Sequence, residues 1–211
     1  MAVITISRQY ASGGSDIAKL VAQALGWTPI DNEFVDRVAR RAGLSIEEVE
    51  VHEERVPGLI ERLAQALSVS SPEMFATAAD PSAALPPEDR LVTMTETVIT
   101  EAVQQGDVVL VGRGAPAYLA ERANALHVYI VAPRETRIEA AMKRLGVSRK
   151  EAEKAVDTTD AGRRRYVKEH YGRVWDDASG YDLIVNTGRF TYAQAAEVIV
   201  EAAVRRGLAS R

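Results

Sequence analysis

Ser12-Gly13-Gly14-Ser15 follows the apolar run Val3-Ile-Thr-Ile6 and the polar stretch Ser7-Arg-Gln-Tyr-Ala11. Small residues between a strand and a helix let main-chain N–H groups converge on an anion, and the positive end of the helix adds to the attraction. In the phosphate loop G-x-x-x-x-G-K-[ST], the lysine reaches the β- and γ-oxygens and the hydroxyl binds Mg²⁺. Gly13 and Ser15 keep their places here, but Gly14 stands where the lysine belongs and Arg8 where the first glycine belongs. Ser12, Gly13, Gly14, Ser15 and Asp16 are therefore the candidate donor-phosphate residues, and Ser15 is the candidate metal ligand. Arg8 is the nearest fixed cation in sequence, a planar fork suited to phosphate oxygens that would reach from the far side of the loop. Two plainer readings stay open: a Gly/Ser-rich turn of any doubly wound fold, and a surface ion pair for Arg8.

Three further groups carry charge at positions where a ligand would meet it. In Val111-Gly-Arg-Gly-Ala115, two glycines flank Arg113 just past an apolar strand, so the backbone can turn and project the guanidinium over a cleft. Asp31 and Asn32 end a second strand and Arg37 follows on the next helix; either of the first two also reads as a helix cap. Arg163, Arg164 and Arg165 are consecutive. Helical positions turn by about a hundred degrees each, so at most two of these can face one ligand. Asp160, three residues earlier, can orient Arg163. His52, His127 and His170 lack metal-site spacing, and Trp175 and Tyr181 read as packing residues.

Short β-branched runs alternating with helical stretches must position these groups, an order that gives a parallel sheet with helices on both faces. Strands are expected at Val3–Ile6, Thr28–Ile30, Val108–Val111, His127–Val131 and Leu183–Val185. Helices are expected at Ser15–Leu25, Glu33–Arg41, Leu91–Gln105, Glu135–Leu145 and Tyr192–Arg205. Two regions break the alternation. Gly43–Arg90 holds a capping box at Ser45-Ile-Glu-Glu48 and a Ser/Ala/Pro-rich loop at Ser68–Pro87, and Ser148–Tyr181 is rich in charge, with Ser148-Arg-Lys-Glu151 opening a helix.

Composition narrows the classes of function. A chain of 211 residues, 46% hydrophobic and 27% charged, can build a substantial core as one domain. Its net charge of −4 argues against coating nucleic acid or an anionic membrane. With no cysteine there is neither disulfide nor thiolate chemistry. No apolar run is long enough to span a bilayer, and Met1-Ala-Val-Ile-Thr-Ile6 has no basic leader segment, so a cytoplasmic protein is expected.

Taken together, Ile4-Thr-Ile-Ser-Arg-Gln-Tyr-Ala-Ser-Gly-Gly-Ser15, Ile30-Asp31 with Arg37, Val109-Leu-Val-Gly-Arg-Gly114, Asp160-Ala-Gly-Arg-Arg-Arg-Tyr166 and Tyr181-Asp-Leu-Ile-Val-Asn-Thr187 resemble the P-loop nucleoside-monophosphate kinases, and most closely the cytidylate-kinase-like family. The resemblance spans nearly the whole chain. It implies an α/β fold with a five-stranded parallel sheet in a single domain, a helical monophosphate-binding excursion at 43–90 and a basic lid at 148–181. It also implies ATP and Mg²⁺ as cofactors and small-molecule nucleotides as ligands; with the loop lysine absent, Arg8, Arg163 and Arg164 are the candidate catalytic cations. Asp31, Asn32, Arg37, Arg113 and Asp160 are then the acceptor residues. The sequence departs from true cytidylate kinases at three points: the loop lysine is absent, Gly114 replaces an aspartate that helps recognise the acceptor, and Val156, Thr159 and Ala161 stand where further basic lid residues belong. One well-placed arginine contributes about 10³–10⁵ in rate to phosphoryl transfer, so Arg8 with Arg163 or Arg164 can supply the missing charge. Three activities stay open: phosphoryl transfer to a nucleoside monophosphate, transfer to another small phosphate acceptor, and nucleotide binding in a regulatory module without turnover. A homodimer stays open too.

Overall fold

The structure, a computed structural model, describes residues 1–31, 87–112 and 114–210. Asn32, Arg37, Arg113, the expected helix at 33–41 and the capping box at Ser45 lie outside the described residues. The chain divides into two compact units, Met1–Phe34 with Ile99–Arg211, and Val35–Val98. Of the second unit the described residues are the first turns of one helix.

The first unit is an α/β layer structure. Strands β1 (Val3–Arg8), β2 (Thr28–Asp31), β3 (Val108–Val111), β4 (Ala125–Val131) and β5 (Leu183–Asn186) form an all-parallel sheet in the order β2-β3-β1-β4-β5. Register is continuous across it: Ile6 pairs with Val111 on one side and Val128 on the other. The helices are α1 (Gly14–Leu25), α2 (Pro87–Gln105), the single turn α3 (Ala115–Tyr118), α4 (Arg134–Leu145), α5 (Arg149–Tyr171) and α6 (Tyr192–Arg205). All five expected strands form; β1 runs two residues further than its apolar run, which carries Arg8 into the sheet. The helix expected from Leu91 begins at Pro87, where proline's fixed φ and missing N–H suit a first turn.

Side chains alternate across each strand. Ile4, Ile6, Val109, Val111, Val128, Ile130 and Val185 turn to one face, where Ile17 and Val21 of α1 and Ala195 and Ile199 of α6 complete the main core. On the opposite face Tyr129 meets Trp175 and Val167. Beside the sheet, α4 and α5 bury Ile138, Ala141, Ala152 and Val156 against each other. Helix α5 opens where expected, and it does so on a capping box: Ser148 takes the Glu151 N–H while the Glu151 carboxylate accepts from the Ser148 N–H. No described helix is long and apolar enough to cross a membrane.

Candidate functional site

The pleat of β1 decides where Arg8 goes. Ile4 and Ile6 face α1, and the period of two sends Arg8 the same way, while Ser7 faces the other side and accepts the Trp175 indole N–H at 2.9 Å. Arg8 is 4% exposed. Its aliphatic stem lies across the start of α1, so that a β-carbon placed on Gly14 would fall 2.5 Å from Arg8 Cβ and 2.7 Å from its Cγ. The guanidinium then passes toward the carboxyl edge of β2, where Nη2 lies 3.8 Å from Asp31 Oδ1. Asp31 Oδ2 in turn accepts from Ser15 Oγ at 3.3 Å.

The loop is held from beneath. Gln9 N donates to the Ile130 carbonyl at 2.9 Å, and Gln9 Oε1 accepts from Ala132 N at 3.0 Å. The Ser12 hydroxyl turns inward, sharing its proton between the carbonyls of Gln9 at 2.8 Å and Ile130 at 3.2 Å. Thr187, in the loop after β5, donates to the Ser12 carbonyl at 2.9 Å. These tethers hold Ala11 in the left-handed region at φ 59°, a conformation that costs a non-glycine residue about 1–2 kcal/mol. Gly13 adopts φ 85° as the N-cap of α1, and its missing side chain leaves room for the Tyr192 ring, which packs directly on it. Among the described residues no side chain at the N-cap caps the first turn of α1, so its first N–H groups and the positive end of the helix suit an anion. Asp16 is exposed and pairs loosely with Lys19 at 3.9 Å.

Helix α5 is anchored to this loop rather than standing clear of it. Asp160, 4% exposed, accepts from Tyr10 N at 2.8 Å and from Arg137 Nη1 of α4 at 2.6 Å. Arg137 also donates to the carbonyls of Ala132 and Tyr10. Arg163 is buried as well; its Nη1 donates to the Arg8 carbonyl at 2.8 Å and lies 3.9 Å from Asp160 Oδ1. Two guanidinium-bearing residues thus meet at the end of β1. Arg164 leaves in another direction, half-exposed, over the Trp175 ring and bound to Asp176 at 3.0 Å, a hydrogen bond that holds its guanidinium more firmly protonated. The structure does not bring Arg164 to Arg8.

Past β3, Gly114 caps the single turn α3. Tyr171 and Tyr166 of α5 fill the space a side chain would take there: a β-carbon on Gly114 would lie 2.9 Å from Tyr171 Cε2 and 3.2 Å from Tyr166 Cε1. Behind them, Tyr129 stacks on Tyr181 at 4.8 Å and meets Trp175 edge-on at 5.4 Å, and the Tyr181 hydroxyl donates to the Trp175 carbonyl at 2.6 Å. Burial raises both phenols, Tyr181 to about 12. Trp175 and Tyr181 pack as expected.

Of the sequence candidates, Arg8, Gly13, Gly14, Ser15, Asp31, Asp160 and Arg163 gather at the carboxyl edge of β1 and β2, and Arg164 and Asp16 stand apart. Arg137, Tyr192, Tyr166 and Tyr171 join the site without a sequence signal of their own, because each is defined by a partner distant in sequence. The charge and hydrogen bonding suit a phosphorylated ligand. For a divalent cation, Ser15 and Asp31 supply two hard oxygen donors side by side. That fits Mg²⁺, which takes one or two protein ligands and completes its shell with phosphate and water.

The family model described as "Cytidylate kinase-like family" matches residues 3–189. A Pyrococcus horikoshii protein named cytidylate kinase is 27% identical over 203 residues, covering 96% of this chain and 88% of that one. A 110-residue stretch, 51% of this chain, is 34% identical to a Corynebacterium glutamicum protein named uronate isomerase; the chain spans only 21% of that relative's length, and the name carries nothing to it. Among solved structures, an uncharacterized protein from Eubacterium ventriosum superposes with a TM-score of 0.67 at 19% identity, covering 96% of this chain and 98% of that one. Shikimate kinase from Bacteroides thetaiotaomicron does so with 0.51 at 12%, covering 97% and 98%. At these identities the structural likeness speaks to the fold alone.

Proposed function

The chain belongs to the cytidylate kinase-like family, and from that premise we propose that it is a cytoplasmic phosphotransferase that moves the γ-phosphoryl group of ATP to a nucleoside monophosphate, with cytidylate the leading acceptor. The observation that supports this reading is the exchange between Arg8 and Gly14: the arginine stem fills the place where a β-carbon on Gly14 would fall, and its guanidinium ends by Asp31, whose other oxygen holds Ser15.

In this reading the N–H groups opening α1 and the Arg8 guanidinium hold the donor phosphates. Arg163, held on the Arg8 carbonyl, would offset the negative charge that develops on the transferring group. An oxygen of the acceptor phosphate attacks the γ-phosphorus, the bond from that phosphorus to the β,γ-bridging oxygen breaks, and ADP leaves with the electron pair. The acceptor phosphate already carries the attacking oxygen, so no protein base is required. Ser15 and Asp31 would hold Mg²⁺, whose charge, when bound, offsets that of the β- and γ-phosphates. Arg37, Arg113 and Asn32 are proposed for the acceptor phosphate and its nucleoside on the family resemblance.

A coupled assay of ADP release with CMP, UMP, AMP, GMP and dCMP tests the proposal. Turnover with at least one of them is expected, and silence with all five from folded protein removes it. The nearness of Arg8 to Asp31 favours one second reading, a nucleotide-binding module whose cation is neutralised by its neighbour. Calorimetric binding of ATP without turnover would select that reading.

A further inference from the structure

The segment that joins β5 to α6 grips the glycine loop at two neighbouring points. Thr187 Oγ1 donates to the Ser12 carbonyl at 2.9 Å. One residue on, the Tyr192 ring lies against Gly13: a β-carbon placed there would fall 2.2 Å from Tyr192 Cζ, 2.3 Å from its Cε1 and 2.6 Å from its hydroxyl oxygen. Both contacts start from fixed positions. The Thr187 N–H binds the Val131 carbonyl at 2.9 Å, which ties the segment to the end of β4. Tyr192 is the first residue of α6, directly after Thr191, whose hydroxyl accepts from Gln194 N while Gln194 Oε1 accepts from Thr191 N at 3.0 Å. That reciprocal cap fixes the first turn, and Ala195 and Ile199 of the same helix are buried in one core with Ile17 and Val21 of α1. Packing of the two helices thus sets how closely the ring approaches Gly13. The backbone beneath it is constrained: Ala11 at φ 59° and Gly13 at φ 85° flank Ser12, and a non-glycine residue stays in the left-handed region only where its surroundings confine it.

We propose that Tyr192 is a positioning residue for the donor phosphates: its ring, acting through Gly13, confines the loop to the conformation in which the N–H groups opening α1 converge on an anion. The proposal rests on the phosphotransferase reading for the identity of the donor. Its physical content is separate. A loop that spends only a fraction of its time in the binding conformation binds more weakly by that fraction, so a support that raises the fraction raises affinity without touching the ligand. The support comes from α6, about 180 residues beyond the loop in sequence, and no spacing within the loop itself encodes it. Tyr192 is 38% exposed, so removing its ring takes little from the core and much from the confinement of Gly13.

The test is equilibrium binding of ATP and of inorganic tripolyphosphate to the full chain and to Tyr192→Phe, Tyr192→Leu and Tyr192→Ala, with urea denaturation of each. Tyr192→Ala should bind both ligands about tenfold more weakly, as expected of a loop that is competent about a tenth of the time. The two losses should be equal, because the phosphates are what the loop holds. Tyr192→Phe keeps the ring and should bind both ligands as wild type does. Amide hydrogen exchange at Gly14 and Ser15 should quicken in Tyr192→Ala and stay at the wild-type rate in Tyr192→Phe, a local opening distinct from global unfolding. Should alanine prevent folding, Tyr192→Leu carries the same test, with a smaller loss that is again equal for the two ligands. A loss confined to ATP overturns the proposal, since the ring would then serve the nucleoside. So do a Tyr192→Phe as weak as Tyr192→Ala, a folded Tyr192→Ala that binds as wild type does, and a wild type that binds neither ligand. If Tyr192→Ala turns over with unchanged KM for ATP, the phosphotransferase stands and this proposal falls. If it loses affinity for both ligands alike while no protein turns over, the reverse holds.

Discussion

Gly14 and the stem of Arg8 share one volume: a β-carbon on Gly14 would lie 2.5 Å from Arg8 Cβ. The loop therefore accommodates a cation on β1 or a lysine at the start of α1, but not both in their present places. Because the Arg8 stem is pinned by its position as the last residue of a central strand, the neighbour cannot yield cheaply.

That exclusion is measurable as stability. Gly14→Ala should cost about 1–3 kcal/mol, the usual range for overpacking, and the same change should be close to neutral in an Arg8→Gly background. Urea denaturation of the four proteins gives the coupling directly. Additive effects of the two substitutions would show that the side chains do not compete.

The Asp160–Arg137 pair predicts a second, larger effect. Both groups are buried and the carboxylate also holds Tyr10 N, so removing Asp160 leaves the Arg137 guanidinium without its carboxylate, and removing Arg137 leaves Asp160 with Arg163 at 3.9 Å as its remaining ion-pair contact among the described residues. Arg137→Ala or Asp160→Ala should destabilise by about 3–5 kcal/mol. Since Tyr10 lies within the loop, the loss should be accompanied by weaker ATP binding in whatever protein stays folded. A change below 1 kcal/mol in urea denaturation would remove the pair as the anchor of α5.

How much of this was legible in the sequence follows from the range of the interactions. The strands and most helix starts were, because they depend on local patterning: Val108–Val111 is continuously apolar, and Ser148 with Glu151 announces a helix. Helical geometry said only that at most two of Arg163, Arg164 and Arg165 can face one ligand; that Arg164, expected at the site with Arg163, turns away to Asp176 was not legible, because its partner lies beyond the end of the helix. Arg137 was not legible, since its partner lies 23 residues away on another helix and no local pattern marks it. Arg8 was ambiguous for a similar reason. Its apolar run ends at Ile6, and only the pairing of Ser7 and Arg8 with Tyr129 and Ile130 extends the strand and fixes which face the arginine takes. Tyr192 on Gly13 and Tyr171 on Gly114 are contacts between elements far apart in sequence, visible only in three dimensions.

His127 gives a prediction in acid. It lies within β4 opposite Thr5 of β1, with its Nδ1 2.8 Å from Thr5 Oγ1 and its main-chain N–H bound to Asp182, which also pairs with Arg206. Burial lowers its pKa below the ordinary 6.5, against the pull of Asp182. The unfolded chain then binds the proton first, so the contribution of this histidine to stability is intact above about pH 6.5 and is lost as pH falls below it, with a slope approaching 1.4 kcal/mol per pH unit. His127→Gln should flatten that part of the stability profile. An unchanged profile would show that the imidazole titrates as it does in water.

Tyr181 behaves in the opposite sense in alkali. Its phenol is raised from 10 to about 12, mainly by burial, so the unfolded chain loses the proton first. Stability should hold below pH 10 and decline between pH 10 and 12. The absorbance of ionised tyrosine, followed with unfolding, should show this group titrating only near the top of that window. In Tyr181→Phe the decline should be shallower, although the protein also loses the hydrogen bond to the Trp175 carbonyl.

The most direct measurement is the rate of phosphoryl transfer in Arg8→Gly, Gly14→Lys and the double variant, which rebuilds G-x-x-x-x-G-K-S in this chain. If Arg8 does the work of the missing lysine, Arg8→Gly should lose at least about 10²–10³ in kcat, the usual effect of removing one donor aimed at the developing charge. Gly14→Lys alone should be impaired by its clash with the arginine stem. The double variant should recover to within about tenfold of wild type, as expected when one phosphate-binding cation replaces another. Wild-type turnover in Arg8→Gly, or a folded double variant no faster than Arg8→Gly, would contradict the exchange.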